Sequence, residues 1–140
     1  MKTRLFSPLG REVSEIGLGA WQLGGTEWGP VSEEDALETL QAAAESGITF
    51  IDTADIYGMG RSETLIGRFL QQRPDRDRFF IATKVGRRPD PGWPKNFSRE
   101  VLFQHVEDSL RRLQVEAIDL LQLHCLPMDV LQQGEVFEHL

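Results

Sequence analysis

The 140 residues carry 15 basic and 22 acidic side chains, a net charge of −7, and 40% of them are hydrophobic. That is apolar material enough for the core of one small domain, and an acidic chain without basic clusters is a poor partner for nucleic acid or an anionic membrane. No apolar run approaches the roughly 18 residues of a membrane span, the N-terminus lacks the apolar stretch of a signal peptide, and the single cysteine, Cys125, excludes an internal disulfide and fits a reducing cytoplasm.

The chain opens on a predicted hairpin, with Thr3 to Phe6 and Glu12 to Ser14 flanking a turn at Pro8-Leu9-Gly10. A strand with two glycines follows at Ile16 to Trp21. Ser32 is an N-cap with Glu33, Glu34 and Asp35 in the first turn, where carboxylates suit the helix dipole. Ala36, Leu37, Leu40, Ala43 and Ala44 then recur at helical spacing until Gly47. A strand ends at Asp52. Ser62-Glu63 opens a second helix with Leu65, Ile66, Phe69 and Leu70 on one face, and a strand from Phe79 ends at Lys84. A loop rich in Pro, Gly and Arg leads to a third helix from Ser98, with Leu102, Val106, Leu110 and Leu113 as its buried stripe. A strand then runs from Ile118 to His124, and a fourth helix begins in Val130 to Leu140.

Strict strand–helix alternation implies a parallel sheet with right-handed crossovers. Gly17-Leu18-Gly19-Ala20-Trp21-Gln22-Leu23-Gly24 misses the Gly-x-Gly-x-x-Gly spacing of a dinucleotide fold, and a polar, glycine-rich stretch intervenes before the next helix. A barrel explains a second pattern. Side chains alternate along a strand, so Asp52, Lys84 and His124 are each the last residue on their own face, and catalytic groups of barrels lie at the carboxyl ends of strands. Tyr57, the one tyrosine of the chain, stands on the loop after Asp52. A lysine ammonium beside a phenol favours the phenolate, and a partly buried lysine needs a counter-ion such as Asp52.

At these residues the chain resembles the aldo-keto reductases. The likeness is carried by Gly17-Leu18-Gly19-Ala20-Trp21, Phe50 to Gly58, Ser62-Glu63 with Gly67, Ala82-Thr83-Lys84 and Asp119 to His124. It implies a (β/α)8 TIM barrel plugged by an N-terminal hairpin, of which residues 1–140 are the N-terminal part. A whole barrel needs about 250 residues, so a truncated or incompletely read chain is the expectation. The resemblance implies hydride transfer between NADPH and an aldehyde or ketone. Asp52, Tyr57, Lys84 and His124 would be the catalytic tetrad. Gly19, Ala20, Trp21 and Asp52 would lie at the cofactor, and Trp21, Tyr57 and His124 at the substrate. The family's contacts to the carboxamide and the adenosine phosphates belong to a second half with no position here. No metal site is expected.

Two rival readings stand beside this one. In a Schiff-base aldolase barrel Lys84 would attack the carbonyl. A non-catalytic interaction subunit could self-associate through open sheet edges. The remaining features read as background. His105 is expected to be half-exposed on its helix, and His139 lies near the chain end. Cys125 reads as a small apolar filler, Arg73, Arg76 and Arg78 as a solvated cluster, Arg87 and Arg88 as rim surface, and Trp93 as a possible substrate wall.

Overall fold

The computed structural model of the chain describes residues 1–25 and 29–140. Strands β1 (Thr3–Phe6) and β2 (Arg11–Ser14) pair antiparallel, with Phe6 opposite Arg11. The turn between them closes at Gly10, whose φ of 61° falls in the left-handed region. A parallel sheet follows in the order β3 (Gly17–Gly19), β4 (Phe50–Asp52), β5 (Phe80–Val85) and β6 (Leu120–Leu123). Between the strands run α1 (Glu33–Glu45), α2 (Arg61–Gln71) and α3 (Arg99–Leu113). After β6 comes a short α4 (Met128–Gln133).

Alternation along the strands sorts the two faces of the sheet. Leu18, Ile51 and Ile81 join Leu40, Ile66, Phe69 and Leu113 of the helices in one apolar cluster. Phe50, Asp52, Phe80, Ala82 and Lys84 point the other way, where Phe50 and Phe80 stack at 5.3 Å. One face is thus covered by helices and the other turns inward, as in a barrel wall rather than a doubly wound sheet. Phe6 of the hairpin meets Phe80 edge-on at 5.0 Å. Arg11 donates to the carbonyls of Asp77 (2.9 Å) and Phe79 (3.1 Å) and pairs with Asp119, which also accepts from the Ile81 amide. The hairpin is therefore latched under the amino ends of β5 and β6. Among the described residues β3 and β6 each pair on one side only.

The predicted elements recur with corrections. The first strand of the sheet is confined to Gly17–Gly19, because Trp21 already adopts helical angles ahead of a 3-10 turn at Gln22–Gly24. The α2 helix starts at Arg61 after Gly60 at φ 93°, and Ser62 and Glu63 are buried within its first turn instead of opening it. The β5 strand runs one residue past Lys84. The last helix starts at Met128 and stops at Gln133, because Gly134 turns left-handed (φ 79°) and a 3-10 turn follows at Glu135–Glu138. On α3 the buried line is Leu102, His105, Ser109 and Leu113, with Val106 and Leu110 only partly covered.

Gly67 marks where α2 crosses α3. A Cβ built there would sit 2.3 Å from the Arg112 carbonyl oxygen and 2.9 Å from the Leu113 carbonyl carbon. Gly67→Ala gains up to about 1 kcal/mol of helix propensity but forces backbone apart, which costs about 1–3 kcal/mol. A net loss of stability is expected, read as a lower urea midpoint with an unchanged slope.

Candidate active site

The site assembles at the carboxyl ends of β4, β5 and β6. The chain stays tied to β5 beyond Asp52, because the Thr53 amide donates to the Ala82 carbonyl (2.8 Å) and the Asp55 amide to the Lys84 carbonyl (3.0 Å). Tyr57 follows two residues after that last bond. On the other side the His124 amide donates to the Val85 carbonyl at 2.8 Å, which extends the β5–β6 ladder to the histidine.

The Lys84 ammonium is the hub. It forms a close ion pair with the Asp52 carboxylate, donates to the Thr53 carbonyl at 2.9 Å, and reaches the Tyr57 hydroxyl at 3.3 Å. Gln122 donates to the other Asp52 oxygen at 3.1 Å. Trp21 stacks on the Tyr57 ring (6.0 Å, 25° between planes), and His124 meets that ring edge-on at 5.9 Å. All four residues of the expected tetrad therefore surround one point of the rim. Gly19 and Ala20 lie beside it. The Ala20 amide donates to the Asp52 carbonyl at 2.8 Å, and a Cβ added at Gly19 would meet nothing within 4 Å, so the space beside it is open.

A second layer holds this arrangement. The buried Ser62 hydroxyl donates to the Ala20 carbonyl (2.8 Å) and lies 2.9 Å from the Thr53 hydroxyl. Glu63, fully buried, accepts from Thr83 (2.6 Å) and pairs with Arg112 (2.7 Å). Just after Tyr57 the backbone passes close to the Gln22–Gly24 turn. A Cβ on Gly58 would lie 2.4 Å from the Gly24 carbonyl oxygen, and at φ 59° that position suits glycine on both counts.

Burial lowers the His124 pKa from 6.5 to about 4, and the positive charges of Lys84 and Arg87 push the same way. The imidazole is therefore neutral at pH 7 and can donate one N–H to an oxygen. A group held neutral in this way contributes stability above its unfolded pKa of 6.5, and that contribution is lost as pH falls from 6.5 toward 4. The His124 ring resonance is expected to titrate near pH 4 by NMR, with stability declining over the same window. A midpoint near 6.5 would contradict the burial argument.

Several residues read as background behave otherwise. Arg88 is not rim surface: its side chain is 14% exposed and bridges Asp55 (3.0 Å) and Asp108 (2.9 Å). His105 is buried rather than half-exposed. Cys125 is exposed, at φ 55°, and fills no core space. Arg73 lies over the rings of Phe69 (5.1 Å) and Phe79 (5.4 Å) and binds Asp75, and Arg78 lies over Phe79 (5.0 Å) and donates to the Ala44 carbonyl (2.8 Å), so of the three only Arg76 stays a solvated side chain. Trp93 is exposed and shares with His124 and Cys125 a rim pocket of about 470 Å³. A cavity of about 550 Å³, lined by Arg11, Gln71, Asp77 and Asp119, lies at the opposite end of the strands and touches none of the tetrad. Among the described residues no group of three or more His, Cys, Asp or Glu side chains could hold a metal ion, and no helix is long and apolar enough to cross a membrane.

Gln122, Asp55, Ser62 and Glu63 were missed as site residues. Gln122 had a signal, since it sits between Leu120 and His124 on the inward face. Asp55 had another, as a second acid three positions beyond Asp52.

Comparison with known proteins gives concordant results. The Aldo/keto reductase family model matches residues 15–140. The aldo-keto reductase YhdN of Bacillus subtilis is 42% identical over 120 residues, which cover 82% of this chain and 35% of that protein. The holo form of aldo-keto reductase AKR11C1 from Bacillus halodurans superposes with a TM-score of 0.83 at 36% identity, covering 99% of this chain and 45% of its own. An aldo-keto reductase from Klebsiella pneumoniae in complex with NADPH gives a TM-score of 0.71 at 28% identity, covering 99% and 46%. The solved neighbours are (β/α)8 barrels, and the sheet described here is part of such a barrel. The chain spans less than half the length of each of these three relatives.

Proposed function

Because this chain belongs to the aldo/keto reductase family, we propose that Asp52, Tyr57, Lys84 and His124 are the catalytic tetrad of an NADPH-dependent reductase of aldehydes and ketones. In this reading residues 1–140 are the N-terminal part of a single barrel domain, and the edges of β3 and β6 that pair with no strand among the described residues are where further strands of the wall would attach. The observation that carries the proposal is the Lys84 ammonium, shared between the Asp52 carboxylate and the Tyr57 hydroxyl.

The cofactor's nicotinamide supplies the hydride. Gly19, Ala20, Trp21 and Asp52 would hold that ring, with the open space beside Gly19 admitting it. The residues present do the proton work. Tyr57 gives its hydroxyl proton to the carbonyl oxygen, and the Lys84 ammonium stabilises the phenolate left behind. Asp52, held by Gln122, balances the lysine charge. Neutral His124 donates an N–H to the same carbonyl oxygen and sets its angle, while Trp21, stacked on Tyr57, walls the pocket. In the oxidative direction the Tyr57 phenolate accepts the alcohol proton. The exposed Cys125 thiol suits the reducing cytoplasm in which we place the protein.

Incubating the whole barrel, of which residues 1–140 are the N-terminal part in this reading, with NADPH and a panel of aldehydes is expected to give cofactor oxidation matched by alcohol formation. Borohydride added with a carbonyl compound is expected to leave Lys84 unmodified, because its ammonium is already committed to Asp52, Thr53 and Tyr57. A trapped adduct on Lys84 would instead identify an aldolase.

A further inference from the structure

Behind Tyr57 lies a buried group of charges that the proposed chemistry does not use. Asp55 is fully buried, and its Oδ2 lies 3.0 Å from Arg88 Nε and 3.6 Å from His105 Nδ1. Arg88 comes from the loop after β5, and its Nη1 also donates to Asp108 on α3 at 2.9 Å. The backbone of that loop is held in turn, because the buried Asn96 amide donates to the carbonyls of Arg88 (2.6 Å) and Gly86 (3.2 Å). Asp55 is therefore the point at which the Tyr57 turn is fastened to β5 by its amide and to the β5–α3 loop by its carboxylate. The turn itself continues through the Tyr57 amide to the Ala54 carbonyl (3.2 Å) and the Ser62 amide to the Tyr57 carbonyl (3.2 Å).

We propose that Arg88 and Asp55 are positioning residues for Tyr57, their buried ion pair fixing the phenol against Lys84. The ion pair is poorly satisfied for one with a merely structural purpose. Both Asp55 carboxylate oxygens, Arg88 Nη2 and His105 Nδ1 are buried without a hydrogen-bond partner among the described residues, so Asp55 and Arg88 are held together by charge and not by a directed bond. Burial pushes Asp55 up to about 6 against the pull of Arg88, with Glu63 of α2 raising it further and Arg112 of α3 lowering it. A carboxyl raised in this way costs stability whenever it is ionised, so stability falls as pH rises from 3.8 toward 6. His105 and Asp108, which also face Arg88, both lie well below 6. Burial, followed by the charge of Arg88, lowers His105 to about 4. Burial would raise Asp108, but donors from Arg88, Arg111 and Gln104 outweigh it and bring it to about 2.

The test uses the single tyrosine. Fluorotyrosine incorporated in the whole chain gives one 19F resonance, from position 57, and needs neither cofactor nor substrate. In the unsubstituted protein that resonance is expected to move with a midpoint near pH 6, separate from any movement with His124 near pH 4. In Asp55→Asn the step near 6 disappears, and Arg88 keeps Asp108 as its counter-ion, so the variant is expected to remain folded at pH 7.5. Arg88→Met is expected to shift or broaden the resonance at pH 7.5. Where turnover is measurable, it lowers kcat by about 10–100-fold with little change in KM, as a misplaced reacting group does. A resonance unmoved between pH 7.5 and 5, or an identical one in folded Asp55→Asn, overturns the proposal. The catalytic consequence rests on the reductase reading, but the two fail separately. Absence of NADPH oxidation with a moving resonance sinks the reductase reading alone.

Discussion

Arg112→Leu is expected to destabilise the fold by about 3–5 kcal/mol, the usual result of stripping a buried ion of its partner. Glu63 has no solvent exposure, and its carboxylate is held by Arg112 Nε at 2.8 Å, Arg112 Nη2 at 2.7 Å and the Thr83 hydroxyl at 2.6 Å. Leucine keeps much of the aliphatic volume that packs over Gly60, where a Cβ would lie 2.5 Å from Arg112 Cδ. The loss therefore falls mainly on the charge. For a chain of this size it corresponds to a fall of roughly 10–20 °C in Tm. The double variant Arg112→Leu with Glu63→Gln should recover a large part of the loss, because no ion is then stranded. Urea unfolding of the three variants checks this. Additive losses would show that the pair contributes by packing alone.

Tyr57→Phe is expected to lower kcat/KM for carbonyl reduction by about 10²–10⁴-fold, the range for losing a positioned general acid. The phenyl ring keeps its stack on Trp21 and its edge contact with His124. Lys84 keeps Asp52 and the Thr53 carbonyl, so the fold should lose no more than the about 0.5–1.5 kcal/mol of one hydrogen bond. Unchanged nicotinamide binding with lost turnover is the expected signature. Lys84→Met should impair the same step, and the double variant should be little worse than either single, because residues acting as a unit are not additive. Equal rates for the unsubstituted protein and Tyr57→Phe would remove the phenol from the mechanism.

The geometry of the candidate site is legible in the sequence because it depends on a short period. Asp52, Lys84 and His124 fall at the ends of apolar runs, and a repeat of two puts each on a defined face without any knowledge of tertiary contacts. Parallel register then brings the ends together: Asp52 lies opposite Ala82 and Lys84 opposite Gln122. The charged group behind the site was not legible, because its members come from a turn, a loop and a helix whose meeting no local pattern encodes. Hydrophobic spacing on α3 favoured Val106 and Leu110, while the line facing inward carries His105 and Ser109 beside Arg88, Asp55 and Arg112. Polar residues that face other polar residues in the interior are invisible to a reading that equates burial with apolarity. Arg88 reads as surface for that reason, and Glu63, in the first turn of α2 as its position predicts, gives no sign in the sequence of its burial against Arg112. The last helix ends at Gln133, within the stretch Val130 to Leu140 where the sequence predicts it, because Gly134 turns left-handed.

The contact between Arg11 and Asp119 joins residues 108 positions apart. On a ribosome adding about 5–20 residues per second, the finished hairpin must wait on the order of 5–20 s before the acid that anchors it has been synthesised. Until then the hairpin is held at this end by the Asp77 and Phe79 carbonyls and the Phe80 ring, so its docking closes in two stages set by the order of synthesis.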